Sequence, residues 1–217
     1  MIFNLEHFKP RERREAPPEK LADYAAHFAG VLRKYGYLRT EGNEAQFDAV
    51  AAYFARWYAG SSGEADYPQF GLFLYGPPGT GKTRALQIFS GLFRVEFLSL
   101  WNLSAVYACD GARALWETLR PLEAHPLILD DICNEQSVKS YGNGFPVREI
   151  LDQRENSLRY HGAQTFFTTN ACGPEVEDKY GIAGYSRIVG MCEKIKFGGP
   201  DMRRNPPTTV QGGAEHG

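Results

Sequence analysis

The sequence has few cysteines, no long apolar run and no strong net charge, and each of these absences excludes a class of protein. Its four cysteines lie far apart, without a CxxC pair or histidines at zinc-ligand spacing. We therefore expect reduced thiols rather than disulfides, a metal site or a reactive nucleophile. No apolar run approaches the roughly 20 residues that span a bilayer, and the first 20 residues contain no signal-peptide pattern. These features predict a cytoplasmic protein without a membrane segment.

The charge balance excludes a global attraction to nucleic acid. The chain carries 24 lysines and arginines against 26 aspartates and glutamates, which gives a formal net charge of −2. Any contact with DNA must therefore be local. With 217 residues, of which 43% are hydrophobic, the chain can bury one substantial core. We expect one compact α/β domain with a small appendage.

The first 62 residues differ in pattern from the rest of the chain. The stretch up to Lys20 mixes charges with prolines, which predicts a flexible arm. Apolar residues then recur every three or four positions in two segments, 21–32 and 47–58, which predicts two amphipathic helices. We expect residues 1–62 to form this arm and two helices, which either pack on the core or bind a partner.

From Phe70 onward, strand and helix patterns alternate, as in a mainly parallel sheet covered on both faces. This pattern predicts a core domain over residues 63–204, followed by a disordered glycine- and proline-rich tail over residues 205–217. Five strands are predicted, at Phe70–Tyr75, Val95–Leu100, Pro126–Asp130, Gln164–Thr169 and Glu193–Phe197. Helices are predicted at Lys82–Phe93, Ala112–Leu119 and Val147–Tyr160.

A phosphate-binding motif lies between the first of these strands and the helix that follows it. Glycines let such a loop curl so that its N–H groups face phosphate oxygens, and the helix adds its positive end. Lys82 is expected to reach the β- and γ-phosphates of a nucleotide, and the Thr83 hydroxyl to ligate Mg²⁺. The motif G-x-x-x-x-G-K-[ST] is matched by Gly76, Pro77, Pro78, Gly79, Thr80, Gly81, Lys82 and Thr83.

Two carboxylates end the third predicted strand. Unpaired buried carboxylates are costly, so Asp130 and Asp131 after an apolar run indicate a function. Asp130 is expected to hold Mg²⁺, mainly through water, and Asp131 to orient or deprotonate the attacking water. Glu135 is the alternative acid, although a solvated loop residue is the favoured interpretation for it.

Two further polar residues are candidates for catalysis. Asn170 follows a predicted strand, where its amide could bind the γ-phosphate or the lytic water, or instead cap a helix. Arg187 lies shortly before the last predicted strand. It could reach across a subunit boundary to a neighbour's nucleotide, or form an ordinary surface ion pair.

Four segments together resemble the AAA+ ATPases of the DnaC type, the bacterial helicase loaders, and the related IstB-type transposition helpers. The segments are GPPGTGKT, LILDDI, ILDQRENSLRYHGAQTFFTTN and YSRIVGMCEKIKFGGPDMRR, and the resemblance covers roughly residues 70–204. It implies an α/β P-loop AAA+ core, here with a helical N-terminal extension and no complete C-terminal lid. By the same resemblance, Asn170 is sensor I, Arg187 the arginine finger and Arg203 a nucleotide-contacting arginine that ends the core.

The resemblance also implies a role in assembling proteins on DNA. We expect an ATPase that uses ATP and Mg²⁺, binds single-stranded DNA, forms an ATP-dependent homo-oligomer and loads a replicative helicase. A loop with Lys139, Tyr141 and Arg148 offers two cations and a stacking ring for single-stranded DNA, although a solvated loop is the alternative. Cys133 departs from the family pattern, in which glycine often follows the strand that ends in the two carboxylates.

Three other functions compete with the helicase loader. An IstB-like partner of a transposase would use the same core, and the N-terminal 62 residues would decide the client. An ATP-dependent switch or scaffold with little hydrolysis is suggested by aspartate rather than glutamate at Asp131. A monomeric kinase is disfavoured, because no separate acceptor-binding or lid domain is evident.

Overall fold

A computed structural model of the chain describes residues 13–135, 139–140 and 143–203. Its centre is a five-stranded parallel sheet, which confirms the predicted α/β class. The strands are β1 (Gly71–Tyr75), β2 (Glu96–Ser99), β3 (Leu127–Asp130), β6 (Thr165–Thr169) and β7 (Cys192–Lys196), and β4 (Lys139–Ser140) with β5 (Asn143–Gly144) forms a separate antiparallel hairpin. The helices are α1 (Pro18–Lys34), α2 (Glu44–Ser61), α3 (Lys82–Phe93), α4 (Leu100–Leu119), α5 (Val147–His161) and α6 (Gly173–Met191).

The order of strands across the sheet is β2-β3-β6-β1-β7. All strands of the sheet run parallel, so their carboxyl ends lie at one edge. The residues that follow β1, β3 and β6 therefore meet at this edge, as expected for ligand sites of open α/β sheets. This arrangement brings the predicted motifs together.

Helices cover both faces of the sheet and create two apolar cores. Alternate residues of β1 point to opposite faces, since Leu72 and Leu74 belong to one core and Phe73 to the other. The first core joins the sheet to α1, α2 and α3, and the second joins it to α4, α5 and α6. Both faces of the central strands β1 and β3 are buried, which explains why these two strands are apolar runs, whereas the edge strands β2 and β7 are partly exposed.

The two N-terminal helices are part of the first core. The ring of Phe54 in α2 lies 6.0 Å from Phe28 of α1 and 5.0 Å from Phe89 of α3. Phe89 in turn lies 4.8 Å from Phe166 of the central strand β6. This run of aromatic contacts fixes α1 and α2 on the sheet, because aromatic pairs at these distances bury large areas.

Three sequence predictions need correction. The flexible arm was predicted to reach Lys20, but α1 begins at Pro18 and the Arg14 N–H donates to the Asp66 carboxylate over 3.1 Å. Proline is favoured in the first helical turn because a backbone N–H at that position has no acceptor within the helix, so its absence costs nothing. The second predicted strand ends at Ser99, and α4 starts at Leu100 instead of Ala112. Its backbone is kinked at Gly111, where φ is +79°, and this break hides the helical periodicity.

The third correction is α6, which the sequence analysis did not predict. Its segment contains three glycines after the first residue, including Gly181 with φ of +76°, where the helix is kinked. Glycine lowers helix propensity by about 1 kcal/mol per residue, so the pattern alone did not indicate a helix. Within the described residues, no helix is long and apolar enough to cross a membrane. The proposed tail, residues 205–217, lies outside the described residues.

Candidate nucleotide site

The loop between β1 and α3 has the conformation of a phosphate cradle. Gly76, Gly79 and Gly81 have φ of +135°, +77° and +94°, values that side chains with a Cβ rarely adopt. A Cβ on Gly76 would lie 2.2 Å from the Phe197 carbonyl oxygen, so glycine is also needed there for close packing. Thr80 is buried, and its hydroxyl donates to the Pro77 carbonyl over 2.9 Å, which holds the curl closed.

Lys82 begins α3, with its ammonium folded back over this loop. Its Nζ donates to the carbonyls of Gly76 and Pro77, each at 2.7 Å. Burial lowers the pKa of Lys82 to about 8, and the nearby Asp131 and Asp130 oppose this shift. An ammonium held by neutral carbonyls near two carboxylates can turn to an arriving phosphate, which is a stronger hydrogen-bond partner.

Thr83 and Asp130 lie side by side. The Thr83 hydroxyl donates to Asp130 Oδ1 over 3.0 Å, and the Thr168 hydroxyl donates to the same oxygen over 2.6 Å. Burial raises the pKa of Asp130, while these two hydroxyls act against the rise. Hydroxyl and carboxylate oxygens are the ligands that Mg²⁺ takes in nucleotide sites, where phosphates and waters complete its shell. The pair therefore fits the role predicted for it.

Asp131 follows the last residue of β3, and its side chain contacts Asn134 and Asn170. Its φ is +58°, and its backbone N–H donates to the Thr168 hydroxyl over 2.9 Å. Its carboxylate accepts hydrogen bonds from Asn134 Nδ2 at 2.7 Å and Asn170 Nδ2 at 3.3 Å. The structure thus brings the ends of β3 and β6 together, with Asp131 and Asn170 in contact.

One cavity of about 250 Å³ joins these groups. Eight residues that the sequence analysis selected line it: Gly79, Gly81, Lys82, Thr83, Asp130, Asp131, Asn170 and Arg203. The other four residues of the predicted motif, Gly76, Pro77, Pro78 and Thr80, belong to the same loop but do not line the cavity. The chemical character of the cavity suits a polyphosphate with a divalent cation.

Five lining residues were missed by the sequence analysis, namely Gly36, Tyr37, Arg84, Thr168 and Met202, and two of them, Tyr37 and Met202, come from segments far from the phosphate-binding motif. Tyr37 lies in the connection between α1 and α2, and Met202 follows the last strand. A Cβ on Gly81 would lie 2.7 Å from the Tyr37 ring and 2.9 Å from the Met202 methyl group. The Met202 N–H also donates to the Gly79 carbonyl over 3.0 Å. No local sequence signal marks these residues, because only the tertiary fold brings the two segments to the loop.

Arg187 does not line this cavity. Its Nε lies 2.5 Å from Asp152 Oδ1 and 3.3 Å from Glu155 Oε2 on α5. Within one chain it is therefore an interhelical ion-pair residue.

Glu135 is not the solvated loop acid that the sequence favoured, because its side chain is 6% exposed and pairs with Lys179 at 2.9 Å.

The loop considered for single-stranded DNA is described only in part. Lys139 begins the short hairpin strand β4, but Tyr141 lies outside the described residues. Arg148, at the start of α5, places its guanidinium 3.1 Å from the position of a Cβ on Gly181. This arginine therefore lies over the kink of α6. Cys133, where relatives often have glycine, has φ of +71° and so adopts a glycine-like conformation.

Comparisons with known proteins identify the fold. No protein-family model and no curated protein sequence matches the chain. The crystal structure of the DnaC helicase loader matches with a TM-score of 0.55 and 18% identity, covering 74% of this chain and 92% of that one. A proposed primosome component from Streptococcus pyogenes serotype M3 matches with a TM-score of 0.51 and 21% identity, covering 77% and 89%.

AMPPCP-bound DnaA from Aquifex aeolicus has the same architecture over a smaller share of its length. The TM-score is 0.53 at 17% identity, covering 79% of this chain and 52% of DnaA, so the chain spans about half of that protein. These likenesses concern the path of the backbone, since the identities are low. The chain has an α/β fold like that of the DnaC helicase loader and DnaA.

Proposed function

We propose that the chain binds Mg-ATP in the cavity at the carboxyl edge of the sheet and hydrolyses it. The observation that carries this proposal is the meeting of three elements at one cavity: the loop with Lys82, the Thr83–Asp130 pair and the Asp131–Asn170 pair. A phosphate cradle alone would suit many nucleotide-binding proteins. The addition of a carboxylate and an amide beside it favours hydrolysis.

Each residue has a distinct role in this proposal. Lys82 exchanges its two carbonyl partners for β- and γ-phosphate oxygens and neutralises charge that develops in the transition state. Asp131 orients a water for attack on the γ-phosphorus, and the bond from that phosphorus to the β–γ bridging oxygen breaks. The products are ADP and inorganic phosphate, with the water's proton passing to Asp131 or a phosphate oxygen. Asn170 holds both the water and the γ-phosphate by its amide.

Mg²⁺ would be held by the Thr83 hydroxyl and, mainly through water, by Asp130. The two oxygens lie 3.0 Å apart at the mouth of the loop, which suits a cation shared with phosphates. When bound, the cation neutralises the charge of the β- and γ-phosphates. Arg203 lines the same cavity and would add a second fixed positive charge near the nucleotide.

We further propose that hydrolysis serves the loading of a replicative helicase onto single-stranded DNA. The likeness to the DnaC helicase loader covers nearly all of that chain, which supports this role over other P-loop functions. In this proposal residues 1–62 carry the helicase contact and residues 63–204 form the ATPase domain. The hairpin with Lys139 and the neighbouring Arg148 would contact the DNA strand.

We also propose an ATP-dependent homo-oligomer in which Arg187 acts on the nucleotide of a neighbouring subunit. Since this arginine pairs with α5 and does not line its own cavity, it would serve as an arginine finger only in a neighbour's site. On assembly, Arg187 would exchange its two carboxylate partners, Asp152 and Glu155, for the γ-phosphate of the neighbour's nucleotide. An Arg187→Ala variant should retain ATP binding but lose turnover at protein concentrations where the wild type assembles.

One observation favours the alternative of a switch that hydrolyses little ATP. Both oxygens of the Asp131 carboxylate already accept hydrogen bonds from amides, one from Asn134 and one from Asn170. A carboxylate so engaged has fewer lone pairs free to take a proton from the attacking water. A switch would bind ATP with normal affinity and show near-zero turnover that single-stranded DNA does not increase.

The test combines turnover with identification of the client. A loader should hydrolyse ATP faster with single-stranded DNA, and Lys82→Ala should abolish this activity. The tagged protein, trapped with a non-hydrolysable ATP analogue in its native cells, should retain a hexameric helicase in a Lys82-dependent manner. Recovery of a transposase would assign the protein to the IstB-like transposition helpers, and absent turnover would favour the switch.

A further inference from the structure

The loop that follows β3 is bent into a shape that its residues do not favour. Asp131 and Cys133 have φ of +58° and +71°, in the left-handed region, and neither is glycine. Residues with a Cβ persist there only where surrounding contacts hold them. The loop starts with Asp131, so whatever holds it also decides where that carboxylate points.

The first half of the loop is held by β6. The Ile132 N–H donates to the Thr168 carbonyl over 2.9 Å, and the Thr169 hydroxyl donates to the Ile132 carbonyl over 2.7 Å. Together with the bond from the Asp131 N–H to the Thr168 hydroxyl, these contacts fix the peptide groups next to the strand. They reach Cys133, the second left-handed residue, only on its N-terminal side, because the Ile132 carbonyl belongs to the peptide that carries the Cys133 N–H.

The second half is held by α6. The Cys133 N–H donates to the Tyr180 hydroxyl oxygen over 2.7 Å, and the Lys179 ammonium donates to the Cys133 carbonyl over 2.6 Å. The same two side chains bind Glu135, with Tyr180 Oη donating to Oε2 over 2.9 Å and Lys179 Nζ lying 2.9 Å from Oε1. We call Glu135, Lys179 and Tyr180 the α6 clamp.

The α6 clamp is buried enough to be rigid. Tyr180 is 3% exposed and the Glu135 side chain 6%, while the Lys179 side chain is 36% exposed. A buried carboxylate is costly unless it is paired and hydrogen-bonded, and here both oxygens have a partner. The Tyr180 hydroxyl is the only atom of the clamp that both accepts from the loop and donates to Glu135.

We infer that Tyr180 is a positioning residue for Asp131, acting through the left-handed Cys133 to hold the carboxylate beside Asn170 and the nucleotide cavity. Tyr180 itself does not line that cavity. The inference rests on the proposed function, because positioning of Asp131 matters for a water only if ATP is hydrolysed. Loss of the hydroxyl would let the loop relax and turn Asp131 away, and small misplacements of reacting groups lower rates strongly.

The test is Tyr180→Phe, which keeps the buried ring and removes only the hydroxyl. We expect kcat for ATP hydrolysis to fall by about tenfold or more, while the Kd for a non-hydrolysable ATP analogue stays within about twofold, because the phosphate cradle is untouched. Tyr185→Phe is the matched control, since Tyr185 lies on the same helix outside the clamp and should leave both constants unchanged. Glu135→Gln, which keeps the shape but loses the charge, should give an intermediate fall in kcat.

The outcomes separate this inference from the proposed function. Wild-type turnover with an unchanged kcat in Tyr180→Phe overturns the inference and leaves ATP hydrolysis intact. A fall in kcat matched by an equal loss of nucleotide affinity also overturns it, because Tyr180 would then support the whole site. If Tyr180→Phe does not fold, Glu135→Gln decides by the same two constants. A wild-type protein that binds ATP without turnover refutes proposed hydrolysis and this inference together.

Discussion

Replacing Arg154 by methionine should destabilise the fold without weakening nucleotide binding. Arg154 lies on α5, is 1% exposed and forms no ion pair with a carboxylate among the described residues. Its guanidinium donates instead to the Thr165 hydroxyl over 2.9 Å and to four backbone carbonyls over 2.8 to 3.5 Å. Arg154 therefore joins α5 to the segments that lead into β3 and β6. The four carbonyls belong to Leu122 and His125, which precede β3, and to Ala163 and Gln164, which precede β6.

The magnitude follows from the acceptors left behind. The Thr165 hydroxyl and the Ala163 carbonyl are in buried bonds, and each costs about 1–3 kcal/mol when left without its donor, whereas the Gln164 carbonyl keeps the Leu127 N–H at 3.0 Å. The half-buried carbonyls of Leu122 and His125 can reach water and add about 1 kcal/mol each. Burial lowers the pKa of Arg154 to about 10, so removing the cation offsets part of this loss. We expect a net loss of about 3 kcal/mol.

The assay is urea unfolding followed by far-ultraviolet circular dichroism. A loss of this size should lower the midpoint by about 1 M urea. Arg159→Met is the matched control on the same helix, because Arg159 is 61% exposed and pairs only with Glu155 over 3.5 Å; it should cost less than about 0.5 kcal/mol. The reasoning is refuted if the two variants lose equal stability. If Arg154→Met does not fold, Arg154→Lys should show a smaller loss, and ATP affinity of the folded protein should stay within about twofold.

Three further predictions concern the nucleotide site. The pKa of Lys82 is about 8 in the free protein, and phosphate binding requires the ammonium form; the Kd for Mg-ATP, measured by calorimetry, should therefore rise about tenfold from pH 7 to pH 9, and a flat profile would contradict the low pKa. Gly81→Ala forces a Cβ to within 2.7 Å of the Tyr37 ring at φ of +94° and should weaken ATP binding at least tenfold, whereas Gly190→Ala, in open space, should not. Asp131→Asn keeps the size of the side chain but loses the base and one of the two oxygens that accept from Asn134 and Asn170, so turnover should fall about 100-fold at unchanged ATP affinity; equal turnover would exclude Asp131 from the chemistry.

The sequence was sufficient to predict features with a local signal. All five strands of the sheet were predicted within one residue at each end. The clearest signal came from the buried apolar runs of β1 and β3, which are typical of central parallel strands. The P-loop motif and the polar residues after the strands were also found from the sequence. Parallel strands bring such residues to one edge, which is why Lys82, Asp130 and Asn170 line one cavity.

Features that depend on tertiary contacts were not predictable. Tyr37 and Met202 reach the P-loop only because α1, α2 and the segment after β7 fold over it. Two contacts join α6 to the loop after β3: the ion pair of Lys179 with Glu135 and the hydrogen bond between Tyr180 and Cys133. Glycines hid the helical pattern of α6, and the left-handed residues of the loop have no sequence signature. Arg187 fits both sequence interpretations, because an ion pair within one chain does not prevent a role in a neighbour's site.

The most direct test of the central claim is calorimetric titration of the wild-type protein and Lys82→Ala with Mg-ATP, followed by phosphate release from the same samples. We predict one site for wild type, with measurable turnover, and loss of both binding and turnover in Lys82→Ala. Equal binding by the two proteins, or no binding by the wild type, would contradict the assignment of the cavity as the ATP site.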